Sequence, residues 1–243
     1  MSEADVSVIK EAEAVFELNG LKYKSYIPQF YRFASLLLEE NKKHNLTALR
    51  DISDVWVRHF ADCLLFADFF GGEHKTMVDV GCGGGFPSIP LASVCKNLKI
   101  TAMDSTKKKT DFVAMAAEEL GLTNYSSLCA RAEEVGRNKV YRERYDIATA
   151  RAVAALPVLA EYCLPLVKVG GVFAAYKGKD AENEISEAEP MIANLGGKIE
   201  KTEKRILRDP NGEEMERVLI IIRKVRNTPD VFPRRNSKIK KQK

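Results

Sequence analysis

The run Val78-Asp79-Val80-Gly81-Cys82-Gly83-Gly84-Gly85-Phe86-Pro87 dictates more of the architecture than any other part of the chain, because it is a short apolar strand that passes through glycines into a helix. Glycine lets the backbone turn sharply there and lets a ligand approach the main chain. Pro87 suits the first turn of the helix that follows, where its missing N–H costs nothing. Three nucleotide chemistries use loops of this type, and spacing separates them. A phosphate-binding P-loop needs GxxxxGK followed by Ser or Thr; five residues after Gly81, Gly83 and Gly85 come Phe86, Ser88 and Pro90, so that reading fails. A dinucleotide loop needs GxGxxG or GxGxxA, and Phe86 or Ser88 takes the third place in the two registers.

What remains is GxGxG behind an acidic strand position, with a second acid, Asp104, closing the next strand. That arrangement is associated with S-adenosylmethionine sites. A carboxylate at Asp104 can accept hydrogen bonds from both hydroxyls of a ribose. The cofactor carries no phosphate, so its methionine end is expected on the loop amides near Gly81 and Phe86. Gly83 in the same loop is a further cofactor-binding candidate. The bland alternative is a glycine-rich connector with no ligand. Asp104, Arg131-Ala132-Glu133-Glu134 and the pair Asp146 and Arg151 weigh against it, because they fall around the ends of successive strands, where ligands of α/β sheets bind.

The rest of the chain divides in texture. Up to residue 70 the apolar residues recur at helical spacing: Val8, Ala12, Val15 and Phe16, then Phe30, Phe33, Ala34, Leu37 and Leu38, then Val55, Phe60 and Leu64. Pro28 belongs near a helix start, and Asn45-Leu46-Thr47 with Asp51 and Ser53 supplies capping residues between helices. From residue 77 short apolar runs alternate with amphipathic segments: Met77–Val80, Ile100–Met103, Ser127–Leu128, Ile147–Ala150 and Val172–Tyr176. They predict parallel strands joined by helices on both faces. A helix from Ala181 to Leu195, a strand through Ile199 and the turn Asp209-Pro210-Asn211-Gly212 before Glu216–Val225 predict an antiparallel hairpin at the end. The expected fold is α/β, a Rossmann-like class I methyltransferase: a seven-stranded, mostly parallel sheet with an antiparallel C-terminal hairpin. A helical extension over 1–70 precedes a cofactor-binding domain over 71–228, and a basic, disordered tail over 229–243 follows.

A chain of 243 residues accommodates one large domain. Residues 234–243 hold six Lys and Arg and no acid, so the formal charge of +4 belongs to the tail and the remaining residues sum to −2. A nucleic acid would therefore be held by local patches. Apolar stretches are broken by charge before a membrane span is reached, and the first residues lack the features of a signal peptide, so no membrane association and a cytoplasmic location are expected. Cys63, Cys82, Cys95, Cys129 and Cys163 form no CxxC pair and no ligand spacing with His44, His59 or His74. Reduced thiols and no metal are expected.

One ordered set of motifs is far more specific than the glycines: Asn45-Leu46-Thr47-Ala48-Leu49-Arg50-Asp51, His59-Phe60-Ala61-Asp62-Cys63-Leu64, the loop itself, Arg131-Ala132-Glu133, Ala150-Arg151-Ala152 and Tyr176-Lys177-Gly178. In these the sequence closely resembles, over nearly its whole length, the bacterial small-subunit rRNA guanine-N7 methyltransferases, the glucose-inhibited division protein B family. It departs from the family at Cys63, where serine is usual, and at Ser88, where glycine is usual. The resemblance implies methyl transfer from S-adenosylmethionine to N7 of a guanine in 16S rRNA. It also implies cofactor contacts at Gly81, Phe86, Ala132, Glu133 and Arg151. The partner would be 16S rRNA or the small ribosomal subunit, and a monomer is expected.

Guanine N7 is a lone pair with no proton to remove, so such a reaction needs no general base and no catalytic His or Cys; alignment carries the acceleration. The product base gains positive charge, so cations belong on phosphates or O6 and not at N7. Arg131 and Lys177 are the candidates for that role, with Lys107 of the Lys107-Lys108-Lys109 run beside them. Structural readings stand next to these. Glu133 could cap a helix, Arg151 could pair with Asp146, the lysine run could be a solvated helix face, and the tail could be merely solubilising. The rival functions are a methyltransferase of another RNA or of a small molecule, the latter not stimulated by RNA, and a noncatalytic ribosome-associated module, which would not bind the cofactor.

Overall fold

A computed structural model describes residues 3–239. Helices α1 (Glu3–Leu18) and α2 (Ile27–Asn41) come first. Phe16 of α1 and Phe30, Phe33 and Leu37 of α2 are fully buried, so the helical spacing of apolar residues marks the faces that pack. Pro28 sits in the first turn of α2, as its missing N–H allows. Asp51 caps α3 (Ile52–Val55) by accepting from the Ser53 N–H at 2.8 Å. The chain then runs through a π-helical turn, Trp56–Ala61, into α4 (Asp62–Leu64) and α5 (Ala67–Phe70).

Seven strands follow: β1 (Lys75–Val80), β2 (Leu98–Asp104), β3 (Tyr125–Cys129), β4 (Tyr145–Arg151), β5 (Val167–Lys177), β6 (Gly197–Arg208) and β7 (Glu214–Lys224). Their order across the sheet is β3-β2-β1-β4-β5-β7-β6. The first five are parallel, and β7 pairs antiparallel with both β5 and β6. Each predicted strand is present, and several are longer at their exposed ends, where polar residues such as Lys75 and Lys168 hide them from an apolar count. The helices α6 (Ser88–Val94), α7 (Lys107–Glu119), α8 (Ala132–Val135), α9 (Leu156–Cys163) and α10 (Ala181–Asn194) link or flank these strands. Pro87 is the cap before α6 and not a residue of its first turn.

Two apolar clusters cover the two faces of the sheet. One joins the N-terminal helices to Met77, Ile100, Phe112 and Ile221, and the other joins Val78, Ala148, Phe173 and Ile220 to α9 and α10. Adjacent residues of one strand thus belong to opposite faces, as the alternation of a pleated strand requires. The helices of residues 3–70 therefore stand where a crossover helix would otherwise cover the sheet.

Residues 229–239 do not form the disordered tail expected of them. Arg137, Arg142 and Glu161 hydrogen-bond the segment, Ile239 is completely buried, and the last described residues form a short helix, α11 (Asn236–Ile239). The lysines at 240, 241 and 243, on which part of the expectation rests, lie outside the described residues. Among the described residues no helix is long and apolar enough to cross a membrane.

Candidate functional site

The carboxyl ends of β1, β2, β3 and β4 open into a cleft of about 1170 Å³. Its walls include Gly81, Gly83, Phe86, Asp104, Arg131, Ala132, Glu133 and Arg151, so the sequence candidates for cofactor binding converge with one of the three RNA candidates. The glycines turn as the motif demands. Gly81 has φ +78°, and a Cβ there would come within 2.6 Å of Val153 Cγ2. At Gly85, φ is +94° and a Cβ would meet Ile89 at 2.7 Å and Phe33 at 3.2 Å. The loop is thus wedged between α6 and the N-terminal helices and has no room to relax.

The amides of the loop are not offered as expected. Gly81 and Cys82 N–H donate to Met103 O, Gly85 and Phe86 N–H to Cys82 O, and Gly83 N–H to Asp104 Oδ2. An anion has few free donors here. Carboxylates dominate instead, which suits a ligand bearing an ammonium group and a diol. Asp104 Oδ1 accepts from Thr106 N–H at 2.9 Å, and its side chain, 10% exposed, lines the cleft with one accepted N–H on each oxygen, where a carboxylate oxygen can take two. Lys109, two residues beyond Lys107, approaches the same carboxylate at 3.8 Å.

Asp79, in the middle of the motif, is wholly buried below the loop, and neither carboxylate oxygen has a hydrogen-bond partner. Ser88 adjoins it, but the Ser88 hydroxyl lies 3.1 Å from Tyr125 Oη. Burial pushes the Asp79 pKa up to about 7, against smaller opposing effects of Ser88 and Arg151. An orphaned carboxylate behind a glycine loop is what a nearby bound cation would relieve. Phe86, Val80, Met103 and Val158 supply apolar wall around these acids. The residues present therefore fit S-adenosylmethionine, with its ammonium, sulfonium, diol and purine.

Arg151 pairs with Asp62 and not with Asp146. Its Nη1 donates to Asp62 Oδ2 at 2.6 Å and to Arg58 O at 3.0 Å, and its Nη2 lies 3.0 Å from His59 Nδ1. Asp146 faces the other end of β4, bonded to Thr76 and to Lys168. Asp62 also accepts from Arg217 Nε at 2.6 Å on β7, so one carboxylate ties the N-terminal helices to both halves of the sheet.

His59, which the sequence reading gave no site role, also lines the cleft. His59 Nδ1 lies 3.0 Å from both Arg151 Nη2, which can only donate, and the Arg58 carbonyl, which can only accept, while Nε2 lies 2.8 Å from Thr47 Oγ1. The ring stacks on Phe86 at 4.3 Å between centroids. Burial, helped by the Arg151 charge, lowers its pKa to about 4, which keeps it neutral. With both nitrogens engaged, His59 holds Thr47, Phe86 and Arg151 in register. The His59–Asp62 spacing of three residues in a helical run was the available signal, since it puts both on one face.

The three RNA candidates separate. Arg131, the N-cap of α8, is exposed at the cleft rim and its side chain has no hydrogen-bond partner among the described residues. Lys177 lines a smaller depression beside the cleft, but its ammonium donates to Glu184 at 2.6 Å and to Ala154 O at 2.9 Å, and its side chain is 9% exposed. Glu184 also accepts from Leu156 N–H, so this pair clamps α10 to the start of α9. Lys107 forms an i,i+4 ion pair with Asp111 on the exposed face of α7 and does not line the cleft. Glu133 lies in the first turn of α8, where its charge complements the helix end, and its carboxylate bonds no described residue. Cys63, Cys82, Cys95 and Cys163 are buried, whereas Cys129 at the end of β3 is exposed one residue before Ala130 of the cleft wall.

A sheet in this order, with a glycine-lined cleft at the carboxyl ends of its first four strands, defines a Rossmann-like methyltransferase fold. Solved structures agree. YcgJ from Bacillus subtilis superposes with a TM-score of 0.52 at 14% identity, covering 70% of this chain and all of that one. TYW2 of M. jannaschii in complex with AdoMet gives 0.52 at 18% identity, covering 65% and 73%. The sequence is more specific than the fold: residues 26–209 match the model of the rRNA small subunit methyltransferase G (GidB) family, and the chain belongs to that family. Ribosomal RNA small subunit methyltransferase G of Lactobacillus johnsonii is 44% identical over 90% of both chains. The Oceanobacillus iheyensis relative of the same name is 46% identical over 85% of this chain and 86% of its own, and that of an Exiguobacterium species is 42% identical over 97% and 96%.

Proposed function

We propose that this protein transfers the methyl group of S-adenosylmethionine to N7 of a guanine in 16S rRNA, acting as a cytoplasmic monomer on the RNA or on the small ribosomal subunit. Membership of the rRNA small subunit methyltransferase G family supports the substrate class. The observation that carries the reaction is the convergence of the glycine loop, Asp104, Ala132–Glu133 and Arg151 on one open cleft. Bound S-adenosylmethionine supplies an activated methyl group on a positively charged sulfur.

The chain's own residues have three tasks. Asp104 and Glu133 hold polar edges of the donor from the ends of β2 and the start of α8. Phe86, clamped by His59 and lying 5.7 Å from the Arg151 guanidinium carbon, keeps the floor of the cleft dry and fixed. Arg131 at the rim offers an unpaired cation for an RNA phosphate, away from the atom that becomes positive. No residue is required to remove a proton, because N7 carries none, and orientation supplies the acceleration.

The test combines purified protein, labelled S-adenosylmethionine and unmodified 16S rRNA or 30S subunits, followed by cleavage at N7-methylated guanine. Label at a single guanine N7 is the expected result. Donor binding with no label in either RNA would return the substrate to the small molecules.

A further inference from the structure

Two residues outside the matched family segment, Asn236 and Ile239, also line the cleft. After β7 the chain folds back along α9. Thr228 N–H donates to Glu143, Arg142 donates to the carbonyls of Thr228, Pro229 and Phe232, and Arg137 donates to those of Val231 and Pro233. Arg234 then forms a two-pronged ion pair with Glu161, whose side chain is 1% exposed. This strap delivers α11 to the cleft, where Asn236 and Ile239 join Ala132, Glu133, Val158 and Tyr162 in its wall.

The polar atoms there are oriented. Tyr162 Oη donates to Asn236 Oδ1 at 3.0 Å, which fixes the amide with its NH2 as the group left over. That NH2 has no partner among the described residues, nor has the Glu133 carboxylate in the same wall. One donor and one acceptor over an apolar lining of Ile239, Val158 and Ala132 match the edge of an adenine, which presents an amino group beside a ring nitrogen.

We infer that the strap is part of the donor site, with Asn236 a specificity-determining residue that, together with Glu133, reads the adenine of S-adenosylmethionine. The inference rests on the cofactor reading above but not on the RNA target. A 6-oxo purine reverses the pattern, so the wall discriminates against an inosyl donor.

Isothermal titration calorimetry with S-adenosylhomocysteine and S-inosylhomocysteine tests this without turnover. Wild type should prefer the adenosyl compound. Asn236→Ala should weaken it by about 3- to 10-fold, the worth of one hydrogen bond, and narrow the adenosyl-to-inosyl ratio. Tyr162→Phe, which frees the amide to rotate, should give a smaller loss. Ile239→Ser should weaken both compounds together, and Lys238→Gln on the exposed side of α11 should change neither. Circular dichroism confirms that each variant is folded. Wild-type affinity and ratio in Asn236→Ala would overturn the inference while leaving the cofactor reading intact. Failure of the wild type to bind the adenosyl compound would overturn both. Success of both with unlabelled 16S rRNA would overturn only the RNA target.

Discussion

Asp62 accepts from two guanidinium groups, Arg151 and Arg217, while its side chain is only 9% exposed. Removing it leaves two cations facing each other, so Asp62→Ala should cost about 3–5 kcal/mol of stability, read from urea unfolding. Gly81 has the opposite vulnerability, in which an added atom does the harm. Gly81→Ala places a Cβ against Val153 in a left-handed backbone and should lose about 1–3 kcal/mol together with most donor affinity, measured by calorimetry. That the glycines, Asp104, Ala132 and Glu133 stand at the cleft was legible because strand ends can be counted along a chain, and strand ends are where an α/β cleft forms. The surroundings of Arg151 and Lys177 were not. Arg151 pairs with Asp62, 89 residues away, and Lys177 with Glu184, only seven residues on but across the connection from β5 into α10, so neither pairing follows a regular strand or helix spacing.

The elements divide in the same way. Parallel strands announce themselves as apolar runs, and the Pro-Asn-Gly turn announces the hairpin, so the sheet was readable up to its polar ends. The π-helical turn Trp56–Ala61 was hidden because its one extra residue leaves the apolar spacing nearly helical, yet that turn carries His59 into the cleft. The strap was hidden for a different reason. Its own composition of proline, arginine and lysine reads as disorder, and what orders it are Arg137, Arg142 and Glu161 on other elements. Glu161→Ala should therefore release it by removing the two-pronged pair with Arg234. The expected outcome is trypsin cleavage at Arg234 or Arg235 at concentrations that leave the wild type intact, with about 2 kcal/mol lost in thermal unfolding.

For the molecule as a whole, two buried groups near the loop set opposing responses to pH. His59 has its pKa lowered from 6.5 to about 4 by burial, so as pH falls below 6.5 the unfolded chain takes a proton that the folded one refuses. That contribution, about 3 kcal/mol, is present above pH 6.5 and lost by pH 4. Asp79, raised from 3.8 to about 7, acts in the other sense: its neutral form suits the fold, and about 4 kcal/mol is lost as pH rises from 4 to 7. The two oppose each other, so wild-type stability should vary less across this range than that of a variant lacking either group. Asp79→Asn should unmask His59 and give stability that climbs from pH 4 to 6.5, whereas His59→Gln should give stability that declines; chemical unfolding at stepped pH reads both. The thiols carry a last consequence. Four of five are buried, with the Cys63 thiol pushed up to about 12 by burial and Cys82 and Cys163 also raised, while Cys129 stands at the surface beside the cleft. A maleimide dye should consequently attach at one point in the untouched enzyme, turning the wild-type chain into its own fluorescent reporter of donor binding with no cysteine engineered in or out.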